Sequence, residues 1–438
     1  MPGYLVSGEQ MKHAGSVTKA ARMRMNFLAL MMWQIGNYIV PLATFPYLTR
    51  VLGVAHFGVL GYATAVATYG MLVTEWGFFL SGPKAVVECR DQPKVLNELI
   101  WSTMIAKSCL CAISFIALLV VAHFDSKLAS LYPVVFAAWL TVIGNVFTLN
   151  WLLQGLERFS VFSTVALAGR FSSLPLTFIF VHHSSDVAIA AAIQGLTAVL
   201  TGLFSLVAAW RLGVLHRPSV SAHSVWRRVR ESADMFVSSA SVSLFGVTNA
   251  VILASTTTPY QVGIYIAADK LKTVANMVPA QINTVCYPRV AALFRGHPLA
   301  AARLTVIGTA ATAVTTVAGV VAVAYLSAPL TATVLGTGFA ASASVLKLLS
   351  LATIFGNLAY FLGLQVLVPF GNTRIRTMMM LAAGVLNVGL AIVLTPRFGA
   401  DGAAASLLVA EVVLLGIYVL MILRKPLLRN HFTQLLNR

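Results

Sequence analysis

Apolar stretches long enough to cross a lipid bilayer recur along almost the whole chain. A hydrocarbon core of ~30 Å needs about 20 helical residues, and twelve such runs are readable: 26–48, 57–81, 97–122, 129–153, 159–182, 187–210, 236–256, 262–287, 304–326, 340–369, 377–395 and 402–423. In lipid every backbone N–H and C=O must be bonded within the protein, which leaves helices or closed barrels. A barrel would alternate apolar and polar residues over roughly ten-residue segments, and these runs do not. The expectation is an all-α polytopic membrane protein of about twelve transmembrane helices. Charged residues make up 10% of the chain, against about 25% in soluble domains.

The net charge of +17 raises the question of nucleic acid, and its distribution answers it. With the N-terminus inside, the inner loops and tails hold 22 Lys and Arg, and the outer loops hold three, Arg50, Lys127 and Arg397. That asymmetry is the positive-inside pattern. The basicity is therefore topological, with the lipid bilayer and its anionic headgroups as partner and no nucleic acid. Both termini are expected in the cytoplasm. The polar start, Met1 to Arg24, carries no cleavable signal, and Met11 is an alternative first residue.

The longest polar interruption, Arg211 to Asp234, divides the chain into two sets of six helices. The organisation expected is a cytoplasmic tail 1–25, a first six-helix bundle 26–210, a basic linker 211–235, a second bundle 236–423 and a tail 424–438. Because six is even, both halves enter from one side, as in direct repeats about the membrane normal. Short internal echoes agree: "HFGVLGY" with "QVGIYIA", and "SSDVAIAAA" with "GADGAAASL". The four cysteines form no CxxC, so neither a disulfide framework nor a metal site is expected.

Charges inside the runs are the candidates for function, since each costs about 2.5–3.5 kcal/mol at the bilayer centre and so faces an interior or cavity. On a continuous helix through "YIAADKLKTVANMVPAQIN", Asp269, Lys272 and Asn276 share one arc, flanked by Lys270. Lys107, Arg170 and Glu411 come near mid-membrane, with Lys347 in the outer half and Glu75 near the inner face. Among these residues five cations stand against three acids. Such a surplus suits an anionic passenger, and Arg170 is the strongest phosphate ligand because guanidinium binds bidentately. Gln34 and Asn37 share a face of the first helix with Pro41, which withholds a backbone donor. In the seventh helix Ser239, Ser243 and Gly246 are spaced for close packing.

At "NYIVPLATFPYLTRVLGVAHFG", with "TEWGFFLSGPKAV" and "CYPRV", the chain resembles polysaccharide-repeat-unit flippases of the O-antigen translocase (Wzx) type. Their superfamily also contains MATE multidrug antiporters and the lipid II flippase. The resemblance implies two six-helix bundles that export an undecaprenyl-pyrophosphate-linked oligosaccharide across the bacterial inner membrane by alternating access. It also implies company with a polysaccharide polymerase and a chain-length regulator. The expected substrate-binding residues are then Lys107, Arg170, Lys270, Lys272, Lys347, Gln34, Asn37 and Asn276. No cofactor is expected, and Glu411 or Asp269 would carry any coupling to H+ or Na+. A multidrug antiporter or lipid II flippase is the alternative within transporters. A membrane polymerase or transferase is more remote, since the chain has no DxD, no HxxxxD and no large outer loop; it also lacks a phosphate-binding GxxxxGK[ST].

Overall fold

The structure is a computed structural model and describes residues 8–426, 428 and 429. The first seven residues and most of the C-terminal tail, with the question of Met1, lie outside the described residues. In the first half the helices are α1 Gly8–Glu75, α2 Phe78–Cys89, α3 Pro93–Phe124, α4 Ser126–Ser130, α5 Tyr132–Phe147, α6 Asn150–Gly155, α7 Phe159–Phe171, α8 Ser173–Phe180 and α9 Val187–Arg211. In the second they are α10 Ala222–Thr256, α11 Pro259–Ala275, α12 Met277–Gly296, α13 Pro298–Leu330, α14 Ser342–Leu362 and α15 Thr373–Arg424.

Among the described residues nine stretches are long and apolar enough to cross a membrane. Two of them fold back on themselves. Gly53 (φ 70°) turns the chain within α1, and Gly399 (φ 56°) does so within α15. Only glycine enters such backbone without strain. Counting those two as double passes and adding α11 with α12 gives the expected twelve.

The passes sort into two bundles. In the first, α5 lies against α9 and α1 against α5 and α7; in the second, α15 packs on α10 and α14, and α13 on α12 and α14. The bundles touch mainly where α1 meets α10 and α11, and where α10 meets α3. The end carrying Arg50 and Lys127 is called here the far face, and the end carrying the polar connection after α9 the linker face.

Two expectations need correction. The segment 211–235 is loop only as far as Ser221. There Ser221 caps α10, its hydroxyl accepting from the Ser224 amide at 3.2 Å, which satisfies an otherwise orphaned donor. The helix so begun lies on the first bundle: the Trp76 indole donates to the Val229 carbonyl (3.0 Å), and Ser81 bonds Ser232 (2.8 Å). Second, the stretch through Asn276 is not one helix. Asn276 leaves helical geometry (φ −81°, ψ 0°) and separates α11 from α12. The arc expected through Asp269, Lys272 and Asn276 is therefore interrupted at Asn276.

Candidate functional site

Between the bundles lies a cavity of about 880 Å³. Of the residues singled out from sequence, Asn37, Lys107, Arg170, Asp269 and Lys270 line it, with Glu75. Trp33 and Trp151 contribute aromatic surface. Gln34, Lys272, Asn276, Lys347 and Glu411 do not line it.

The ionic pairing inside this space sorts the charges sharply. Lys107 is buried, and its ammonium donates to Glu75 Oε2 (2.7 Å), Asn145 Oδ1 (3.1 Å) and the Asn145 carbonyl (3.3 Å). An ammonium has three donors, so Lys107 is saturated and has nothing left for a ligand. This corrects its expected role as a free cation, and the reason is a partner 32 residues away on another helix. Lys272 is likewise taken, by Asp269 at 2.6 Å one turn back on α11. Arg170 on α7 and Lys270 on α11 have no side-chain partner among the described residues, and both remain accessible. One cation from each bundle thus faces the same space unneutralised.

The remaining predicted residues lie elsewhere for identifiable reasons. Because the chain breaks at Asn276, its side chain turns into the second bundle, where Oδ1 accepts from Asn357 (2.6 Å) and Asn357 reaches Thr316 (3.1 Å). Lys347 is exposed on α14. Glu411 sits inside the second bundle against Gly356, where a Cβ would stand 2.9 Å from its carboxyl carbon.

Sequence reading missed the neutral wall. Thr64 and Thr68 on α1, Asn145 on α5, and Gln194, Thr197 and Thr201 on α9 all face the cavity. Their spacings of three, four and seven place them on one face of each helix, which is the signal that was available. Gly246, expected to serve helix packing, instead lines the cavity, and a Cβ there would meet nothing within 4 Å.

A family model described as "Polysaccharide biosynthesis protein" matches residues 23–294, which include every residue lining the cavity. The chain belongs to that polysaccharide biosynthesis family. Two curated relatives of this family member each bear the name "Putative O-antigen transporter". One, from Escherichia coli (strain K12), is 27% identical over 417 residues, covering 94% of this chain and 99% of its own. The other, from Shigella dysenteriae, is 24% identical over 392 residues, covering 90% and 98%. Among solved structures, the lipid II flippase MurJ in an inward closed conformation superposes with a TM-score of 0.72 at 12% identity, over 92% of this chain and 89% of that one. An inward-facing multidrug resistance transporter of the MATE family gives 0.69 at 15% identity, over 90% and 97%. This member of the polysaccharide biosynthesis family therefore has the two-bundle fold of those transporters.

Proposed function

We propose that the protein is a flippase that carries an undecaprenyl-pyrophosphate-linked oligosaccharide across the bacterial inner membrane by alternating access, for surface polysaccharide assembly. The observation that carries this reading is the pair Arg170 and Lys270, without a side-chain partner among the described residues and facing one cavity from opposite bundles. The acids lining the same space, Glu75 and Asp269, are each bound to a lysine. What is left is net positive, and an anionic headgroup is the passenger that neutralises it. A pyrophosphate cannot enter hydrocarbon unaccompanied. The relatives' names are in keeping with this reading.

The far face is closed in this conformation. Arg50 donates to the Thr333 carbonyl, Lys127 to the carbonyls of Ser255 (3.1 Å) and Thr257 (3.4 Å), and Phe57 meets Phe339 edge-on at 6.0 Å. Each contact joins the first bundle to the second, so release on that side requires them to part. The skewed distribution of Lys and Arg supports a cytoplasmic linker face and cytoplasmic termini. Glu411 is the residue we propose for coupling to H+ or Na+, since Asp269 is held by Lys272. A polymerase and a chain-length regulator are the proposed downstream partners. A cationic drug is a poorer passenger for a cavity whose free charges are both positive.

The test is surface polysaccharide in cells carrying Arg170→Ala with Lys270→Ala, at unchanged membrane abundance. Loss of polysaccharide is expected, with recovery in the Arg170→Lys, Lys270→Arg pair. Normal polysaccharide from the double alanine variant overturns the reading.

A further inference from the structure

The cavity's two walls differ in chemistry. The second bundle contributes Gly246, Val247, Ala250 and Ile266, an apolar surface interrupted by Tyr265, Asp269 and Lys270. The first bundle contributes hydroxyls and amides on three helices. Most of those hydroxyls have already spent their single proton. Thr64 donates to the Leu60 carbonyl (2.8 Å), Thr68 to Thr64 (2.8 Å), Thr148 to Gly144 (3.0 Å), Thr197 to Gln194 (2.8 Å) and Thr201 to Thr197 (2.7 Å). A hydroxyl has one donor and two lone pairs, so bonding back to its own helix leaves it able only to accept. The wall thus turns a row of acceptors toward the cavity. The donors that remain among the described residues are the Thr141 hydroxyl and the side-chain amides of Asn37, Asn145, Asn150 and Gln194. Among the described residues no third free cation stands beside them, because Lys107 is saturated by Glu75 and Asn145.

We propose that this wall is a glycan subsite for neutral sugars, those presenting O–H and acetamido N–H groups, and that it discriminates against sugars bearing a carboxylate. The inference rests on the flippase reading, in which Arg170 and Lys270 are engaged by the pyrophosphate. A neutral sugar brings donors to the acceptor row and finds Gln194 and Thr141 for its own oxygens. A uronate brings a charge that only accepts. It would face threonine lone pairs, lose its hydration and meet no counter-ion. Unpaired buried polar groups are what give sites of this kind their large discrimination.

The experiment uses the purified full chain in liposomes with three undecaprenyl pyrophosphate lipids: bare, carrying a neutral disaccharide, and carrying the same disaccharide with a terminal hexuronate. The neutral lipid is expected to cross at least about tenfold faster than the uronate lipid. Two isosteric variants on different helices, Thr64→Val with Thr68→Val and Thr197→Val with Thr201→Val, should each shrink that ratio to about threefold or less. Serine at the same positions, which restores the oxygen, should restore the ratio. Equal crossing of neutral and uronate lipids by the unmodified protein overturns the proposal and leaves the flippase reading standing, as does an undiminished ratio in both valine variants. If neither the bare nor the neutral lipid binds or crosses, the flippase reading itself falls, and this inference with it.

Discussion

Gly58 and Gly263 meet backbone to backbone across the two bundles: a Cβ on Gly58 would stand 2.7 Å from the amide nitrogen of Gly263. They occupy matching places in the echoed segments, the third residue of "HFGVLGY" and of "QVGIYIA". Each opens its pass just beyond a turn at the far face. Gly58→Val or Gly263→Val would force these helices apart, an overpacking cost of about 1–3 kcal/mol. The expected result is a far face that opens more readily, read as faster labelling of a cysteine at Val54 by an impermeant maleimide. Unchanged labelling would show that the contact does not hold the face shut.

Glu75→Gln is expected to strand the Lys107 ammonium, whose side chain is only 2% exposed. Removing one partner of a buried pair costs about 3 kcal/mol or more, and Asn145 offsets part of it. Glu75→Gln with Lys107→Met should regain most of the lost stability. Thermal unfolding in detergent gives the comparison, and equal destabilisation by the single and double changes would deny the pairing its structural role.

Arg50→Gln with Lys127→Gln would remove both cation–carbonyl contacts at the far face. Both side chains are exposed, so each contact contributes no more than about 1 kcal/mol. Together they are expected to move the balance toward a far-side-open state by roughly fivefold to tenfold. Spin-label distances across that face measure the two populations. A distribution identical to that of the unmodified chain would count against the latch.

Asn249 and Asn387 are both buried in the second bundle. Asn387 donates to the Asn249 Oδ1 (2.8 Å) and to the Leu244 carbonyl (2.8 Å), and Asn249 donates to the Ala403 carbonyl (2.9 Å). Asn387→Leu should cost about 1–2 kcal/mol, the range for interhelical hydrogen bonds in membranes, without altering which lipids cross. A changed lipid preference would mean that this cluster communicates with the cavity.

The pass count was legible because lipid leaves the backbone no alternative to long apolar helices. Arg170 and Lys270 were legible too, because a charge inside an apolar run is rare enough to be noticed. What escaped was relational. The Lys107–Glu75 pair joins residues on separate helices, and no local spacing announces it. Asn276 was grouped with Lys270 by a wheel that assumed an unbroken helix, whereas the break there turns it into the second bundle; Lys272, still on α11, is taken instead by Asp269. The threonines escaped for a different reason. A threonine satisfied by its own helix carries little penalty in a membrane, so one facing a cavity and one facing lipid look alike in sequence.

The acceptors that Arg50 and Lys127 reach at the far face are peptide oxygens of Thr333, Ser255 and Thr257, with no carboxylate among them. Peptide oxygens hold no exchangeable charge. These three contacts themselves contain no carboxylate, although the Asp125 carboxylate beside them accepts from the Lys127 amide at 2.9 Å. The hold of Arg50 and Lys127 on the opposite bundle therefore does not depend on an acceptor staying ionised.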